Sequence, residues 1–468
     1  MVAAELSPQA RATAAADSIA ALSKAIRQLG HTVTVALPRT AGFEGTSPLL
    51  ARRLSPLVIE PGLEVTVLDG QLASGVSLVL FDSPTFSEQR SIYGASGTAE
   101  AEADGARFAL FARAAAAFVR ERREHGKPVD VVHLHDWAAA PTAALLGGAD
   151  APPSVLTIHA FDGEPSFPPA ALALLGPARD DSRARLKGRI SPLRLGLGAA
   201  RVVTTVSSGY AQVLARGPLA TALEGLSEPI VGVLDGIDYA IFNPATDAAL
   251  ESRYDAEDAS NKGRCKTALL RALELTVAPE RPLLVLSTAS RDPESVAAAL
   301  AALPRLLDLD IAIVVAGPLE PAAAKAIERL RRASPGDLGV IPKTDGVELR
   351  RLAAAADFVL TAQGEVPCGH IELVAQRYGA LPIAEALGGI PDVVVDMDAE
   401  LETGSGFAYT RDSDEAVLGA VERAVSAFGT AAFPLLRRRI MRRDLGWDRP
   451  ARRYVQLYRR LLGEPSLA

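Results

Sequence analysis

The sequence predicts an α/β fold of two doubly wound parallel-sheet, Rossmann-like domains that face a cleft between them. Short apolar runs alternate with segments of helical periodicity through the first half of the chain, and a second alternating series begins at Pro282. With 468 residues and 49% hydrophobic content, the chain is long enough to build two separate cores. We place the domains at residues 1–240 and 241–446, followed by an amphipathic basic helix within residues 447–468.

The first domain combines two long helical patterns with a series of short strands. The helix predicted over Ala14–Leu29 is amphipathic and ends at Gly30, and Ala101–Arg123 is a long alanine-rich helix. The predicted strands are apolar runs bounded by polar or turn residues, at Met1–Glu5, His31–Leu37, Glu64–Leu68, Val76–Phe81, Asp130–His135, Ser154–His159, Val202–Val206 and Ile230–Leu234.

In the second domain every predicted strand is a short apolar run, as in buried parallel sheets. A polar, glycine-bearing turn follows Thr361, and Gly388 and Gly389 open another turn after Ala384. Because the carboxyl ends of parallel strands share one edge of the sheet, we expect both turns to face one ligand-binding crevice. The predicted strands are Pro282–Ser287, Ile311–Ala316, Leu338–Ile341, Asp357–Thr361, Leu381–Ala384 and Gly406–Tyr409.

Composition argues against several classes of partner. A net charge of −7 and a pI of about 5.6 give no general attraction to nucleic acid or anionic lipid, so neither partner is expected. Cys265 and Cys368 are too few for a disulfide framework, and their spacing fits no metal site. No apolar run approaches the roughly 18 residues that cross a bilayer, and no basic segment leads into an apolar core at the start of the sequence. These observations predict a cytoplasmic protein.

A set of short strings follows one order along the chain. They are GHTVTVALP at Gly30–Pro38, DVVHLHDW at Asp130–Trp137, TIH at Thr157–His159, GRISPLRLGL at Gly188–Leu197, TVSSGYA at Thr205–Ala211, GVLDGIDYAIFNPATD at Gly232–Asp247, PCG at Pro367–Gly369 and GG at Gly388–Gly389. In this order and spacing the chain resembles bacterial glycogen synthases and plant starch synthases over essentially its whole length. The resemblance implies the GT-B fold and retaining transfer of glucose from ADP-glucose to the non-reducing end of an α-1,4-glucan, without a metal or other cofactor.

The resemblance also implies roles for the domains and for several residues. Residues 1–240 would form the acceptor side, residues 241–446 the nucleotide-sugar domain, and the helix after residue 446 would pack back on the first domain. His159 matches the family histidine that hydrogen-bonds the transferred sugar, although a strand-end histidine with a purely structural role fits the position equally well. Asp136 and Trp137 end a string that shapes the acceptor side in the family.

The N-terminal loop departs from the family pattern, in which a lysine and two glycines hold a phosphate. Arg11 stands at the lysine position, Thr13 and Ala14 replace the glycines, and Asp17 matches the family aspartate. A guanidinium keeps the charge but differs in size and reach, and an N–H cradle needs the close backbone approach that glycine allows. We therefore expect this loop not to hold a diphosphate in the family manner.

The first turn of the second domain departs at both of its cationic positions. Thr288 replaces the family arginine, and Pro293 or Glu294 falls on the family lysine. Arg291 is the cation closest to these positions in the sequence, and it also fits a solvated residue at the start of a helix. Asp235 replaces a family asparagine near the donor site. Because one preorganised charge stabiliser is worth about 10²–10³ in rate, the loss of two predicts very little donor chemistry.

The glycine-bearing turn after Thr361 departs as well. Val366 stands at the glutamate of the family's E-P-C-G string, so Glu365 is displaced by one residue and would need a loop rearrangement to reach the site. Cys368 keeps the family's cysteine position, where a small buried hydrophobe is the alternative interpretation. Gly388 and Gly389 keep the family's glycine pair, but the negative charge of Glu385 before them disfavours phosphate.

These departures fall on donor and phosphate positions, while the strings of the scaffold are kept. They predict a glycogen/starch synthase-like protein with weakened or lost catalysis that binds α-glucan, ADP-glucose or ADP, or acts as a regulatory or structural partner of an active synthase. Two alternatives remain open. One is an active ADP-glucose-dependent synthase with a rearranged donor site, and the other is a GT-B enzyme whose donor carries less phosphate charge.

Overall fold

The computed structural model describes residues 1–40, 43, 49–88, 91–95, 97–148, 150–161, 163–276, 278–290, 292–411 and 415–464. The chain divides into two compact units. Unit 1 comprises Met1–Asp235 together with Trp447–Ala468, and unit 2 comprises Gly236–Gly446. Each unit contains a mainly parallel sheet with helices, so the predicted α/β class is confirmed.

Unit 1 contains strands and helices of very different lengths. Its strands are β1 (Thr34–Pro38), β2 (Leu50–Arg52), β3 (Leu57–Glu60), β4 (Leu63–Gln71), β5 (Ser77–Asp82), β6 (Val132–His135), β7 (Ser154–Ile158), β8 (Arg185–Leu186), β9 (Arg189–Ile190), β10 (Val202–Thr205) and β11 (Val231–Gly232). Its helices before residue 236 are α1 (Ala15–Gln28), α2 (Pro84–Ser87), α3 (Ala99–Glu124), α4 (Asp136–Ala139), α5 (Pro141–Leu145), α6 (Pro192–Ala199), α7 (Ser208–Arg216) and α8 (Ala220–Glu224), with 3₁₀ helices at Ala173–Asp180 and Ser182–Ala184.

The sheet of unit 1 is parallel at its centre and antiparallel at one edge. Strands β11, β10, β7 and β6 pair in that order, and β1, β5, β4 and β2 follow. Val2 forms parallel bridges to Leu134 and Ala36, so it joins the two parts of the sheet. Strands β2, β3 and β4 form an antiparallel edge that the predicted parallel sheet did not include. In β4 buried Val65 and Val67 alternate with more exposed neighbours, as expected for an edge with one solvated face.

Unit 2 contains a fully parallel sheet whose strands are almost entirely buried. Its strands are β12 (Leu283–Ser287), β13 (Ala312–Ala316), β14 (Leu338–Ile341), β15 (Phe358–Thr361), β16 (Leu381–Glu385) and β17 (Phe407–Tyr409), in the order β14-β13-β12-β15-β16-β17. Its helices are α9 (Lys262–Ala272), α10 (Pro293–Ala301), α11 (Leu303–Leu306), α12 (Pro321–Ala333), α13 (Gly346–Ala355), α14 (His370–Arg377), α15 (Ile390–Val393), α16 (Ala416–Phe428) and α17 (Phe433–Met441). The strand order reverses between β12 and β15, which makes their carboxyl ends the topological switch point where such sheets bind ligands.

After unit 2 the chain returns to unit 1 as helix α18 (Asp448–Leu461). Tyr454, Val455 and Leu457 of α18 are buried in one hydrophobic cluster with Ile19 and Leu22 of α1. Burial of large side chains of this kind contributes about 1.5–3 kcal/mol each, so α18 is an integral part of the unit 1 core.

A helix that crosses a membrane must be both long and apolar. In the part of the chain that the structure describes, no single helix meets both requirements. The pair α16 and α17 meets them only jointly, and the two helices are bent by 107° relative to each other.

Candidate functional site

In unit 1 the carboxyl ends of β6 and β7 bring together a histidine and an aspartate. His159 directly follows β7 and is buried. Its backbone N–H donates to Oδ1 of Asp136 at 2.7 Å, and its Nε2 lies 3.0 Å from Nδ1 of His135. Asp136 has a φ of +58°, a left-handed conformation that is uncommon outside glycine and concentrates at functional sites. Burial lowers the pKa of His159 to about 4, so its ring is neutral near pH 7.

Two carboxyl groups of unit 1 titrate close to neutral pH. Burial raises the pKa of Asp136 to about 8, and the nearby carboxylates of Glu5 and Asp235 raise it further against the hydrogen bond from His159. Burial also raises the pKa of Asp235 to about 7, although Ser18 Oγ donates a 2.6 Å hydrogen bond to Asp235 Oδ2. A neutral imidazole beside partly protonated carboxyls offers hydrogen-bond donors and acceptors of the kind that sugar hydroxyls use, with no surplus positive charge.

Buried hydrogen bonds and one contact between histidine rings connect this site to helix α18. Nδ1 of His133 lies 2.6 Å from Tyr458 Oη, and Nε2 of His133 lies 2.6 Å from Thr157 Oγ1. The rings of His133 and His135 lie 4.2 Å apart, and His135 Nε2 is buried without a hydrogen-bond partner among the described residues. Within the described ranges, no group of three or more His, Cys, Asp or Glu side chains is arranged to hold a metal ion.

Trp137 follows Asp136 and is held by other aromatic rings. Its ring packs edge-on against Phe108, with the two ring centroids 4.9 Å apart. The ring centroids of Tyr93 and Phe167 each lie 5.8 Å from that of Trp137. Three rings around a half-buried tryptophan fix its orientation, so it forms a rigid wall next to Asp136.

The N-terminal loop of unit 1 has internal partners for its polar groups. Arg11 pairs with Asp17 at 2.9 Å, and both side chains are substantially exposed. The carboxylate of Glu5 accepts from the backbone N–H of Ala12 at 2.9 Å and of Thr13 at 2.7 Å. The backbone N–H groups of this loop therefore already bind an anion of their own chain.

In unit 2 the carboxyl ends of β12, β16 and β17 form an edge that contains two carboxylates. Glu385 is buried at the end of β16, and its Oε1 lies 3.3 Å from Nε of Arg411, which follows β17. Nη2 of Arg411 lies 4.0 Å from Asp292 Oδ2. Burial raises the pKa of Glu385, the guanidinium of Arg411 lowers it, and the carboxylate of Asp292 raises it again. We call these three residues the acidic edge.

The first turn of unit 2 is occupied by side chains that stabilise the turn itself. Thr288, at the position of the family arginine, is buried, and its hydroxyl donates to the carbonyl of Pro318 at 2.9 Å. Asp292 accepts from the backbone N–H of Glu294 at 3.1 Å and caps α10, which begins at Pro293. Arg291, predicted as the nearby cation, lies outside the described residues.

The turn that contains the Cys-Gly pair closes against the glycine pair. The backbone N–H of Gly389 donates to the carbonyl of Val366 at 2.7 Å. Gly388 has a φ of +58°, and a Cβ at this position would lie 2.5 Å from Val366 O, so both conformation and space require glycine. Glu365 is exposed, and Cys368 is half-buried and forms no disulfide. The Gly389 N–H, a group that could bind phosphate, is therefore already paired.

The structure groups only some of the predicted site residues. His159 and Asp136 adjoin, with Trp137 next in sequence, and Arg11 pairs with Asp17. Arg411 was missed, although a signal existed: it follows the predicted strand Gly406–Tyr409 by two residues and so falls on the same sheet edge as Gly388 and Gly389.

Comparison with known proteins identifies the class first. The chain superimposes on the catalytic domain of starch synthase IV from Arabidopsis thaliana bound to ADP and acarbose, with a TM-score of 0.84, 26% identity and 99% of both chains covered. It also shares the fold of sucrose-phosphate synthase from Thermosynechococcus elongatus, with a TM-score of 0.60, 15% identity, and coverage of 99% of this chain and 98% of that one. The two Rossmann-like units are those of a GT-B glycosyltransferase.

Sequence relatives then identify the family. Residues 1–228 match the starch synthase catalytic domain family. The chain is 32% identical to a glycogen synthase of Anaeromyxobacter sp. strain Fw109-5 over 98% of both chains, and 32% identical to a glycogen synthase of Burkholderia thailandensis over 98% of this chain and 89% of that protein. The chain therefore belongs to the glycogen synthase and starch synthase family, as the sequence motifs predict.

Proposed function

We propose that this protein binds an α-glucan through unit 1 and has weakened or lost the glucosyl transfer from ADP-glucose that the family carries out. In this proposal residues 1–240 form the acceptor side, residues 241–446 correspond to the nucleotide-sugar domain, and the protein acts as a glucan-binding or regulatory homologue. The observation that carries the proposal is the acidic edge, Asp292, Glu385 and Arg411, at the switch-point edge of unit 2.

The charges of the acidic edge argue against a bound diphosphate. A departing diphosphate gains negative charge in the transition state, so catalysis requires cations or unpaired N–H groups around it. Glu385 and Asp292 instead contribute two carboxylates, and Arg411 already pairs with Glu385. Thr288 uses its hydroxyl within the turn, and the Gly389 N–H pairs with Val366. These contacts support weak diphosphate binding and a transition state with little charge stabilisation.

The unit 1 site supports retained sugar binding. His159 is buried and neutral, and Asp136 presents a carboxyl group beside the rigid ring of Trp137. Such a combination of polar groups and an aromatic wall is suited to sugar hydroxyls and to the apolar face of a sugar ring. These polar groups can bind sugar hydroxyls without a cation. Glucan binding therefore does not depend on the cationic positions of the donor site.

The first experiment measures binding and transfer separately. Calorimetry would titrate the full chain with maltoheptaose, ADP and ADP-glucose, and labelled ADP-glucose with maltoheptaose would report transfer. The Anaeromyxobacter glycogen synthase is the positive control. We expect maltoheptaose to bind, and the loss of two charge stabilisers to reduce transfer by about 10⁴-fold or more relative to that control. Transfer within tenfold of the control would refute the proposal.

A pair of variants tests whether the carboxylates of the acidic edge weaken diphosphate binding. Glu385→Gln removes one carboxylate from the acidic edge and releases Arg411, whereas Glu280→Gln removes a carboxylate of an exposed residue that precedes β12, at the opposite end of the strands. Because charges a few ångströms apart near a surface interact by about 1–3 kcal/mol, Glu385→Gln should tighten ADP binding roughly tenfold. Glu280→Gln should change it less than about twofold. Equal effects of the two variants would contradict the electrostatic explanation.

A second pair of variants tests the glucan side. Asp136→Asn keeps the left-handed backbone conformation and the acceptor for the His159 N–H, so it changes only the carboxyl chemistry. Because the amide cannot donate through the atom that replaces the protonated carboxyl oxygen in the same way, its hydrogen bonds to sugar hydroxyls change, and maltoheptaose binding should weaken about tenfold. Asp150→Asn, at an exposed residue of unit 1, is the matched control. Unchanged binding in Asp136→Asn would exclude this site as the glucan contact.

Arg411 is the observation that favours the alternative, an active synthase with a rearranged donor site. It is the cation of the acidic edge, and its side chain is 29% exposed. If a diphosphate displaced Glu385 from Arg411, the guanidinium could bind phosphate in a bidentate manner. In that case Arg411→Gln would abolish a measurable transfer activity, whereas under the leading proposal there is little activity to abolish.

A further inference from the structure

Unit 2 contains a cavity at the end of its sheet opposite the acidic edge. The cavity has a volume of about 280 Å³ and lies beside Asp357, the residue that precedes β15. The acidic edge lies at the carboxyl ends of the same parallel strands, so the two places are separated by the length of the strands. This volume lies just below the range of about 300–1,000 Å³ that is typical of small-molecule sites, so the cavity suits only a small ligand.

The polar lining of the cavity contains more cations than carboxylates. Asp357 accepts from Lys266 Nζ at 2.7 Å and from Leu283 N–H at 2.9 Å through Oδ2, and from Arg437 Nη2 at 2.6 Å through Oδ1. Both oxygens of this carboxylate are thus used, while two cations share its single negative charge. The cavity therefore has an unbalanced positive charge.

Lys262 lines the cavity but offers no direct contact to a ligand. Its buried Nζ donates to the carbonyls of Ala353 at 2.9 Å, Ala354 at 3.0 Å and Tyr378 at 2.9 Å, at the ends of α13 and α14. Burial lowers the pKa of Lys262 well below its usual value. The positive charge of the cavity therefore comes from Lys266 and Arg437.

Aromatic rings form the apolar part of the lining. Phe428 and Phe433 lie 5.0 Å apart between ring centroids, with Lys266 Nζ 5.5 Å from the Phe428 ring and the Arg437 guanidinium 5.0 Å from the Phe433 ring. Arg437 uses Nε for the carbonyl of Gly379 and Nη2 for Asp357, so its Nη1 has no hydrogen-bond partner among the described residues. The cations of the cavity are complementary to an anionic group, and the two phenylalanine rings are complementary to a flat apolar group.

We propose that this cavity binds a small phosphate monoester that carries a flat apolar group. The phosphate would accept from Arg437 Nη1 and from the remaining donor of Lys266, and the apolar group would lie against Phe428 and Phe433. The site is separate from the glucan and donor sites, so it stands or falls independently of the proposed function.

Gly263 provides a test that leaves the cations and the aromatic rings of the lining unchanged. It is the second residue of α9, it lines the cavity, and a Cβ at this position would meet no atom within 4 Å. Gly263→Asp therefore adds a negative charge to the cavity in the first turn of a helix, where acidic residues are favourable for folding. Gly263→Asn is the neutral control of matching size.

Calorimetry on the full chain would use phenyl phosphate, inorganic phosphate and phenol, each at up to about 10 mM. We expect phenyl phosphate to bind more tightly than either of the other two, Gly263→Asp to weaken it at least tenfold, and Gly263→Asn and Glu385→Gln to leave it within twofold. Equal binding of phosphate and phenyl phosphate would overturn the ester assignment. No binding of phenyl phosphate, or equal binding by wild type and Gly263→Asp, would overturn the site.

Discussion

Replacing Asp235 with Asn should stabilise unit 1, and the gain should grow with pH. Asp235 is only 6% exposed, and its carboxylate accepts a hydrogen bond from the hydroxyl of Ser18. Burial raises its pKa from 3.8 to about 7. Asparagine keeps the shape and the acceptor for Ser18 but has no charge to bury, so it does not incur the desolvation cost.

The sign and size of this stability change follow from the pKa of Asp235 in the folded and in the unfolded chain. In the folded state the Asp235 carboxyl stays protonated up to about pH 7, whereas in the unfolded chain it ionises near pH 3.8. The destabilisation by Asp235 is therefore absent below pH 3.8, grows as pH rises, and is complete above pH 7. With 1.36 kcal/mol per pKa unit, its full size is about 4 kcal/mol, and about 2–3 kcal/mol of it develops between pH 5 and pH 8.

Tryptophan fluorescence can follow unit 1 selectively. The chain contains two tryptophans, Trp137 and Trp447, and both belong to unit 1. Urea unfolding of wild type and Asp235→Asn would be followed at pH 5 and pH 8. The stability difference between the two proteins should be larger at pH 8 by about 2–3 kcal/mol.

The control is Asp150→Asn, which removes one negative charge from an exposed side chain of the same unit. Its stability change should stay within about 0.5 kcal/mol and vary little with pH. A gain from Asp235→Asn that is equal at pH 5 and pH 8 would refute the reasoning, because it would show that the carboxyl is not ionised at a cost in the folded state. A loss of stability at pH 8 would refute it more directly.

Three further predictions concern single buried groups. Lys262→Met would leave the carbonyls of Ala353 and Ala354 without this donor, whereas that of Tyr378 keeps the hydroxyl of Tyr254, and it should destabilise unit 2 by about 3 kcal/mol, measured by far-UV circular dichroism against Lys325→Met, an exposed lysine of α12. The ring protons of His159 should show no NMR titration between pH 5.5 and 8, since burial lowers its pKa to about 4; a midpoint near 6.5 would contradict that. Trp137→Ala should destabilise unit 1 by about 3–5 kcal/mol in urea unfolding, and a change below 1 kcal/mol would show that its aromatic contacts contribute little.

The parallel core of the fold could be predicted from the sequence because its strands are short, wholly apolar runs. The predicted strand Leu338–Ile341 coincides with β14, and the run from Asp357 differs from β15 by one residue. Strands β2 and β3 could not be found in this way, because they are three and four residues long and lie at an exposed edge. Short edge strands are specified by pairing with β4, which periodicity does not encode.

Site residues could be predicted from the sequence where they directly follow a predicted strand. His159 and Asp136 lie at the carboxyl ends of adjacent strands, so their proximity follows from the topology. The pairing of Arg411 with Glu385 was not predictable, although β16 and β17 are adjacent, because it depends on how far the two side chains reach. The same holds for Glu5, whose carboxylate binds the loop that the family uses for phosphate.

The return of the chain to unit 1 has a consequence for synthesis on the ribosome. Unit 2 is one continuous segment, whereas unit 1 needs α18, which follows all of unit 2 in the chain. A nascent chain can therefore complete the core of unit 2 while the apolar face of α1 still lacks Tyr454 and Val455. Since domains generally fold as units during synthesis, the segment translated first is expected to reach its native state last.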